Sequence, residues 1–373
     1  MDKEERIKLI SRNTTEVLTT DDLDKLISSG TKIRHYIGFE ISGLVHLGTG
    51  LMCMGKIADF LKAGVDCTVF LADWHSYIND KLGGDWDNIK KASWGYFKEG
   101  LIASLKCFGA PTEKVKFVLG SDLYKNSTEW ETLMEVSKNT TLARIKRSIT
   151  ILGRKQGESI DFAKLIYPPL QVADIFTLQV NLVHAGIDQR SAHVIARQVA
   201  KKLKTNPLKD NKGQIIAPIA VHHPLLLGLQ KPPVWPVPNN NEEMKISLKM
   251  SKSKPDSAIW IHDTPEEIKR KVEKAFCPPD SLEFNPLINW AKHLVFWGED
   301  RGEFKVKRPA KFGGNKTYLS FKQLCQDFQN GSLHSQDLKT AMTDWLIITL
   351  EPARKHFAGG KPAEALKFLE KLI

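Results

Sequence analysis

Ile33 to Ala72 reads IRHYIGFEISGLVHLGTGLMCMGKIADFLKAGVDCTVFLA. Ile33 to Phe39 is a β-branched and aromatic run of strand length. From 50 to 63, Leu51, Met54, Ile57, Ala58 and Leu61 recur at the spacing of one helix face. Cys67 to Ala72 is again mostly apolar and reads as a buried strand. Between the first strand and the helix lies His46-Leu47-Gly48-Thr49. A strand, a His/Gly turn, a helix N-terminus and a second strand make a βαβ unit, whose helix start is a natural place for phosphate.

Working outward, the alternation continues with a long helix over 86–108, a strand at Val115–Leu119, further helix–strand alternation over 167–200 and a strand at Ile215–Val221. Such alternation predicts an α/β fold, a Rossmann-like doubly wound parallel sheet. Residues 1–30 read as short helices, with Thr20-Asp21-Asp22 as a cap. The stretch 123–160 interrupts the rhythm with helical, increasingly basic sequence. Lys231 to Asn241 holds Pro232, Pro233, Pro236, Pro238 and three asparagines, the composition of a linker.

Just beyond it stands Lys249-Met250-Ser251-Lys252-Ser253, two lysines interleaved with hydroxyls. From about 261 the chain reads as mainly helical, with Thr264-Pro265-Glu266-Glu267 as a strong helix start. The expected organisation is therefore an N-terminal helical segment (1–30), a catalytic unit (31–235, with 123–160 inserted), a linker with the lysine loop (236–260) and a helical C-terminal domain (261–373).

The 373 residues allow two domains with a sizeable core, and 42% hydrophobic with 26% charged residues is ordinary for a globular protein. The net charge of +11 suits a polyanionic partner without establishing one. The five cysteines are scattered and fall at no metal or redox spacing, which reads as reduced and structural. The N-terminus lacks the apolar core of a signal peptide. The least charged stretch, Leu165 to Ile187, carries Asp174 and two prolines, which argues against a membrane span. The expectation is a cytoplasmic protein.

Taken together these motifs resemble the tyrosyl-tRNA synthetases of archaeal and eukaryotic type, within the class I aminoacyl-tRNA synthetases. His46 to Thr49 resembles the first signature of that class and Lys249 to Ser253 the second. Tyr36-Ile37-Gly38-Phe39-Glu40, Ala72-Asp73-Trp74-His75, the run Tyr167 to Asp174, and Asp188-Gln189-Arg190 resemble the tyrosine branch in order and spacing. Arg308 to Gly314, with Leu333-His334 and Asp337-Leu338-Lys339, resembles its anticodon-binding domain. One departure stands out: Thr49 replaces the histidine that usually ends the first signature, and a threonine cannot be cationic.

The resemblance implies ATP-dependent activation of L-tyrosine and its transfer to tRNA(Tyr), with magnesium accompanying ATP. The nucleophile, a carboxylate, is already ionised at neutral pH, so the site must supply alignment and positive charge rather than a strong base. Lys252, Lys249 and His46 are the implied catalytic groups. His46, Gly48, Thr49, Lys249, Ser251 and Lys252 are the implied ATP contacts. The family's tyrosine pocket maps onto Tyr36, Tyr167, Gln171, Asp174 and Gln189, with Tyr36 and Asp174 reading the phenol hydroxyl. The residues themselves allow a plainer account, since an aspartate after an apolar run commonly caps a helix. The spacing i, i+4, i+7 of Tyr167, Gln171 and Asp174 instead places all three on one face.

His75 and the pair His222-His223 read as core histidines, and Trp74 and Phe70 as core or pocket wall. The basic run Lys138 to Lys155 reads as a solvated helix face. By resemblance it lies beside the acceptor stem, with Arg147 near the first base pair, and the inserted region forms a homodimer interface. Phe312, His334 and Asp337 would meet the anticodon, the last two sharing a helix face. Two alternatives stay open from sequence: a tryptophan-specific relative, and a synthetase-derived RNA-binding protein without catalysis.

Overall fold

In the computed structural model the described residues are 1–153, 159–237, 242–250, 255–297 and 303–373. Six strands form one sheet: β1 (Glu16–Leu18), β2 (Arg34–Phe39), β3 (Asp66–Leu71), β4 (Val115–Leu119), β5 (Leu182–Gly186) and β6 (Ile219–His223), in the order β1-β6-β5-β2-β3-β4. All neighbours are parallel except β1 with β6. Strand order reverses between β2 and β5, and the crevice at their carboxyl ends is where a doubly wound sheet places its ligand. The reading of an α/β doubly wound sheet holds.

The central strands are buried on both faces. Ile37, Val69, Leu182 and Val221 are sealed in one apolar core, while Tyr36, Phe70, Val183 and Ala220 belong to a second. That double burial explains their continuous rather than alternating hydrophobicity. The helix predicted over 50–63 runs Cys53–Lys62 after a wide π-type turn at Gly48–Met52. The long helix over 86–108 is also present, as consecutive helical segments from Trp86 to Lys106.

Several expectations need correction. Residues 1–30 contain β1 as well as helices; only three residues long and half-buried, it carries too little pattern to be read from sequence. The cap of the following helix is Thr19, whose side chain accepts from the Asp22 amide. β6 starts at Ile219 rather than Ile215, because Pro218 has no amide to offer the ladder. The C-terminal part is mainly helical but also holds a hairpin, β7 (Phe304–Val306) with β8 (Lys316–Tyr318), which brackets the Arg308 to Gly314 motif. Thr264 does open a helix with a capping box, reciprocally bonded to Glu267.

The regions are tied through Asp59. Its carboxylate accepts from Arg12 at 2.9 and 2.5 Å and from the Trp297 indole at 2.8 Å. One buried acid on the helix after His46 thereby joins the N-terminal helix to the C-terminal segment.

Candidate active site

A cavity of about 580 Å³ opens at the carboxyl ends of β2 and β5. Its wall includes Tyr36, His46, Gly48, Thr49, Tyr167, Gln171, Gln189 and Lys249, residues drawn from five separate stretches of sequence. The fold thus gathers nearly every described residue that the sequence singled out for tyrosine and ATP. Asp174 is the exception within the tyrosine set.

The helix Phe162–Thr177 carries Tyr167, Gln171 and Asp174, capped by Asp161 and tolerating Pro168 and Pro169 within it. Tyr167 packs edge-on against His75 at 4.5 Å between ring centres. Gln171 donates to Gln189 at 3.4 Å, and Gln189 donates to the Ile151 carbonyl at 3.0 Å. The Gln171 amide oxygen has no hydrogen-bond partner. It is an acceptor inside the cavity wall, suited to an ammonium group.

Asp174 lies one layer deeper. It is wholly buried and does not border the cavity. Oδ1 accepts the Tyr124 hydroxyl at 2.9 Å, while Oδ2 has no hydrogen-bond partner and stands 3.7 Å from His75 Nε2. Burial holds the His75 pKa down at about 3, so the ring is neutral and offers no compensating charge. Asp174 is held well above the usual carboxylate range, first by burial and then by the charge of Glu129. An aspartate that capped a helix would be half-exposed and bonded to backbone amides; Asp174 is neither.

At the other end of the cavity, His46 is fixed from both sides. Leu47 donates to the Ile259 carbonyl at 3.1 Å and Ile261 donates to the Val45 carbonyl at 3.0 Å. His46 Nδ1 accepts from the amides of Gly48 at 3.0 Å and Thr49 at 3.3 Å, and Thr49 Oγ1 lies 3.4 Å from Nε2. The replacement threonine therefore touches the remaining histidine. A Cβ on Gly48 would come within 2.9 Å of the His46 ring, so glycine is needed for the turn to close this tightly.

The lysine loop is pinned at its ends. Gly228 donates to the Leu248 carbonyl at 2.8 Å and Met250 to that of Leu226 at 2.9 Å, while residues 259–261 hold the His46 segment. Lys249 Nζ meets Asp188 Oδ2 at 2.6 Å at the cavity edge. Ser251 and Lys252 lie outside the described residues. The segment 259–261, which follows the second signature in sequence, hydrogen-bonds the segment of the first, two hundred residues away.

The four residues expected to meet RNA stand apart from this cavity. Arg147 is exposed on the helix Leu142–Ser148, and Phe312 is 61% exposed beside β7–β8. His334 caps the helix Ser335–Thr349 by accepting from the Gln336 amide, so it does not share a helix face with Asp337 as the spacing suggested. Asp337 lies 3.9 Å from Arg308. Phe70 is core as read, but Trp74 is 37% exposed and packs against Trp86 at a 43° tilt instead of lining the pocket. His222 and His223 are buried and bonded to His193 at 2.9 Å and His184 at 2.8 Å.

Sequence reasoning missed Tyr124, Glu129 and the ion pairs of Asp188 with Lys249 and Glu40 with Lys81. Tyr124 stands in a turn after β4 with no motif around it, and only the fold brings it to Asp174.

A family description, tRNA synthetases class I (W and Y), matches residues 28–351. The tyrosine–tRNA ligase of Thermococcus sibiricus is 56% identical over 374 residues, covering 99% of each chain. That of Pyrococcus abyssi is 55% identical over 360 residues, covering 96% of each. A crystal structure of tyrosyl-tRNA synthetase with L-tyrosine from Pyrococcus horikoshii superposes with a TM-score of 0.95 at 52% identity, covering both chains completely. With its sheet, its cavity and its two signatures arranged in this way, the chain belongs to the class I tRNA synthetases of the tryptophan and tyrosine branch.

Proposed function

We propose that this enzyme activates L-tyrosine with ATP and transfers it to the 3′ end of tRNA(Tyr). The observation that carries the choice of amino acid is the orphaned, fully buried Oδ2 of Asp174 behind Tyr36, Tyr167 and Gln171. An indole has no hydroxyl to meet that oxygen, which disfavours the tryptophan reading. In the first step the tyrosine carboxylate attacks the α-phosphorus, an O–P bond forms, and the bond to pyrophosphate breaks. Charge grows on the phosphate oxygens, and His46, Lys249 and the backbone at Gly48 and Thr49 line the cavity where that charge is met. Lys252 belongs to the same motif and is assigned the same role. In the second step a terminal ribose hydroxyl of tRNA attacks the acyl carbon and AMP leaves.

Asp174 is sealed behind the cavity wall, so reading the phenol requires the side chains of that wall to yield. Tyr36 then stands beside the hydroxyl, and Gln171, Gln189 and Tyr167 hold the ammonium end. Among the described residues no group of three His, Cys, Asp or Glu side chains is arranged to hold a metal. Glu40 and Asp188 are engaged by Lys81 and Lys249. A magnesium ion fits as a companion of the triphosphate, supplying charge neutralisation there.

The exposed Arg147, Phe312 and His334 and the partly buried Asp337 are assigned to tRNA, and 261–373 to anticodon recognition. Trp130, Met134, Leu142 and Phe162, all exposed around the 123–160 insertion, support a homodimer built on that face. No helix among the described residues is long and apolar enough to cross a membrane. The reaction is assigned to the cytoplasm.

The test is amino-acid-dependent exchange of labelled pyrophosphate into ATP. Tyrosine supports exchange, and phenylalanine and tryptophan do not; absence of exchange with tyrosine overturns the reading. Asp174→Ala, with no acceptor left to desolvate, narrows the tyrosine/phenylalanine ratio of kcat/KM by at least about tenfold, the value of one buried polar pairing. An unchanged ratio removes Asp174 from hydroxyl recognition.

A further inference from the structure

The long helical stretch from Trp86 to Lys106 is interrupted by a π-type turn at Ser93–Phe97, inside which Gly95 takes φ −82° and ψ −107°. Such a turn inserts a residue into the helix and shifts the face that follows, and it is frequent at functional sites. The residue it carries inward is Tyr96, which is fully buried. The Tyr96 hydroxyl accepts from the Val45 amide at 3.0 Å, one residue before His46. The same hydroxyl lies 3.0 Å from His262 Nε2. Burial holds His262 down at about 4 and pushes the Tyr96 phenol up, so both rings are neutral near pH 7. The phenol O–H then donates to Nε2 while its oxygen takes the amide, and the hydroxyl is held from both sides.

The surroundings leave this contact little play. His46 forms an antiparallel bridge with Trp260, so His262 extends the same short pairing that flanks the first signature. A Cβ on Gly100 would stand 2.9 Å from Val45 Cγ2, and one on Gly50 would stand 2.6 Å from Ile261 Cγ2 and 2.7 Å from Ser104 Oγ. The helix that follows Tyr96 is thus pressed directly onto the signature. From the C-terminal part, the Phe357 ring packs 5.5 Å from both Tyr96 and His262. Its neighbour His356 bonds Glu99 at 2.7 Å, three residues after Tyr96. A phenylalanine would fill the same space, so packing alone has no use for the oxygen.

We propose that Tyr96 is a positioning residue for the activation step: its hydroxyl fixes the main chain at Val45 and thereby sets where the His46 ring meets the phosphates of ATP. Tyr96 does not border the cavity, so it touches neither substrate. It acts through His46, whose Nδ1 is tied in turn to the amides of Gly48 and Thr49. A catalytic group displaced by about 1 Å costs rate by up to about a hundredfold, even when its own chemistry is unchanged. The tyrosine pocket is built on other elements, Tyr36 on β2 and Tyr167 and Gln171 on the helix Phe162–Thr177. The effect of the Tyr96 hydroxyl is therefore confined to ATP.

This inference rests on the activation of tyrosine proposed above, and the experiment separates the two. Pyrophosphate exchange at saturating tyrosine gives kcat/KM for ATP, and calorimetry without ATP gives the Kd for tyrosine. Tyr96→Phe removes one oxygen and keeps the ring; kcat/KM for ATP falls about tenfold while the Kd for tyrosine stays at its native value. The decisive comparison is the same substitution in a His46→Ala background. There Tyr96→Phe costs less than about twofold, because misplacing a ring that is already gone costs nothing. Equal losses in the two backgrounds, an unchanged kcat/KM for ATP, or a parallel loss of tyrosine affinity overturns the proposal and leaves Tyr96 as packing.

Should Tyr96→Phe fail to fold, the donor is deleted instead, by placing the hydroxy-acid analogue of valine at position 45 in cell-free synthesis. The ester has no N–H and leaves Tyr96 in place. A loss in kcat/KM for ATP that vanishes in the His46→Ala background supports the proposal; native constants for the ester overturn it. Absent tyrosine-dependent exchange in the native enzyme overturns the tyrosine reading itself, whereas normal native exchange with equal losses in both backgrounds sinks only the role of Tyr96.

Discussion

At the residue scale the site turns on how few partners Asp174 has. Its one hydrogen bond comes from Tyr124, and everything else around it is apolar, neutral or anionic. Tyr124→Phe removes that bond with almost no change in volume. The expected cost is about 1 kcal/mol, a several-fold rise in the KM for tyrosine with the KM for ATP unchanged. Equal shifts in both constants would mean that Tyr124 supports the cavity as a whole. Much of this pocket is legible in the sequence: Tyr167, Gln171 and Asp174 follow helical spacing, and a lone aspartate in an apolar stretch attracts notice. Tyr124 and Glu129 do not, because a tyrosine in a turn and a glutamate at the third helix position look ordinary. Only the packing of two helices distant in sequence makes them unusual.

At the scale of elements, βαβ rhythm located the cavity because parallel strands buried on both faces leave continuous apolar runs. Elements whose signal is weak escaped: β1 has three residues, and β7 and β8 have three each. β1 also depends on a partner far along the chain, His222 for Glu16, and β7 and β8 pair only with each other, Phe304 with Tyr318. The helix Leu142–Ser148 shows the limit in another form. Lys146 and Arg147 on it are exposed, which sequence also predicts for a merely solvated face. Aminoacylation separates the two accounts. If Arg147 meets tRNA phosphate or base, Arg147→Ala lowers kcat/KM for tRNA about tenfold, leaves pyrophosphate exchange intact, and reduces the salt dependence of charging. Unaltered charging across salt concentrations would make it a solvated arginine.

At the scale of the whole molecule, the most consequential pattern is its buried histidines. His35, His75 and His293 are held down at about 3, His223 and His262 at about 4, and His184, His193 and His222 are also lowered, burial being the largest cause in each. Several sit between regions: His293 bonds Asn13 at 2.9 Å, His262 bonds Tyr96 at 3.0 Å, and His222 bonds Glu16 at 2.9 Å. Native imidazoles stay neutral where unfolded ones, with pKa near 6.5, are protonated. Between about pH 4 and 6.5 the unfolded chain thus binds more protons, and stability must fall as pH falls. Asp174, Glu129, Asp73 and Asp263 act in the opposite sense, since burial raises them and the native state holds their protons longer. The histidines outnumber them, and each adds up to about 1.4 kcal/mol per pH unit below 6.5. The melting temperature should therefore drop steeply from pH 7 to 5, with several protons taken up on unfolding at pH 5. A melting temperature that is level across that range would mean the carboxyls offset the histidines, and that the protein's interior is balanced in charge rather than closed to acid.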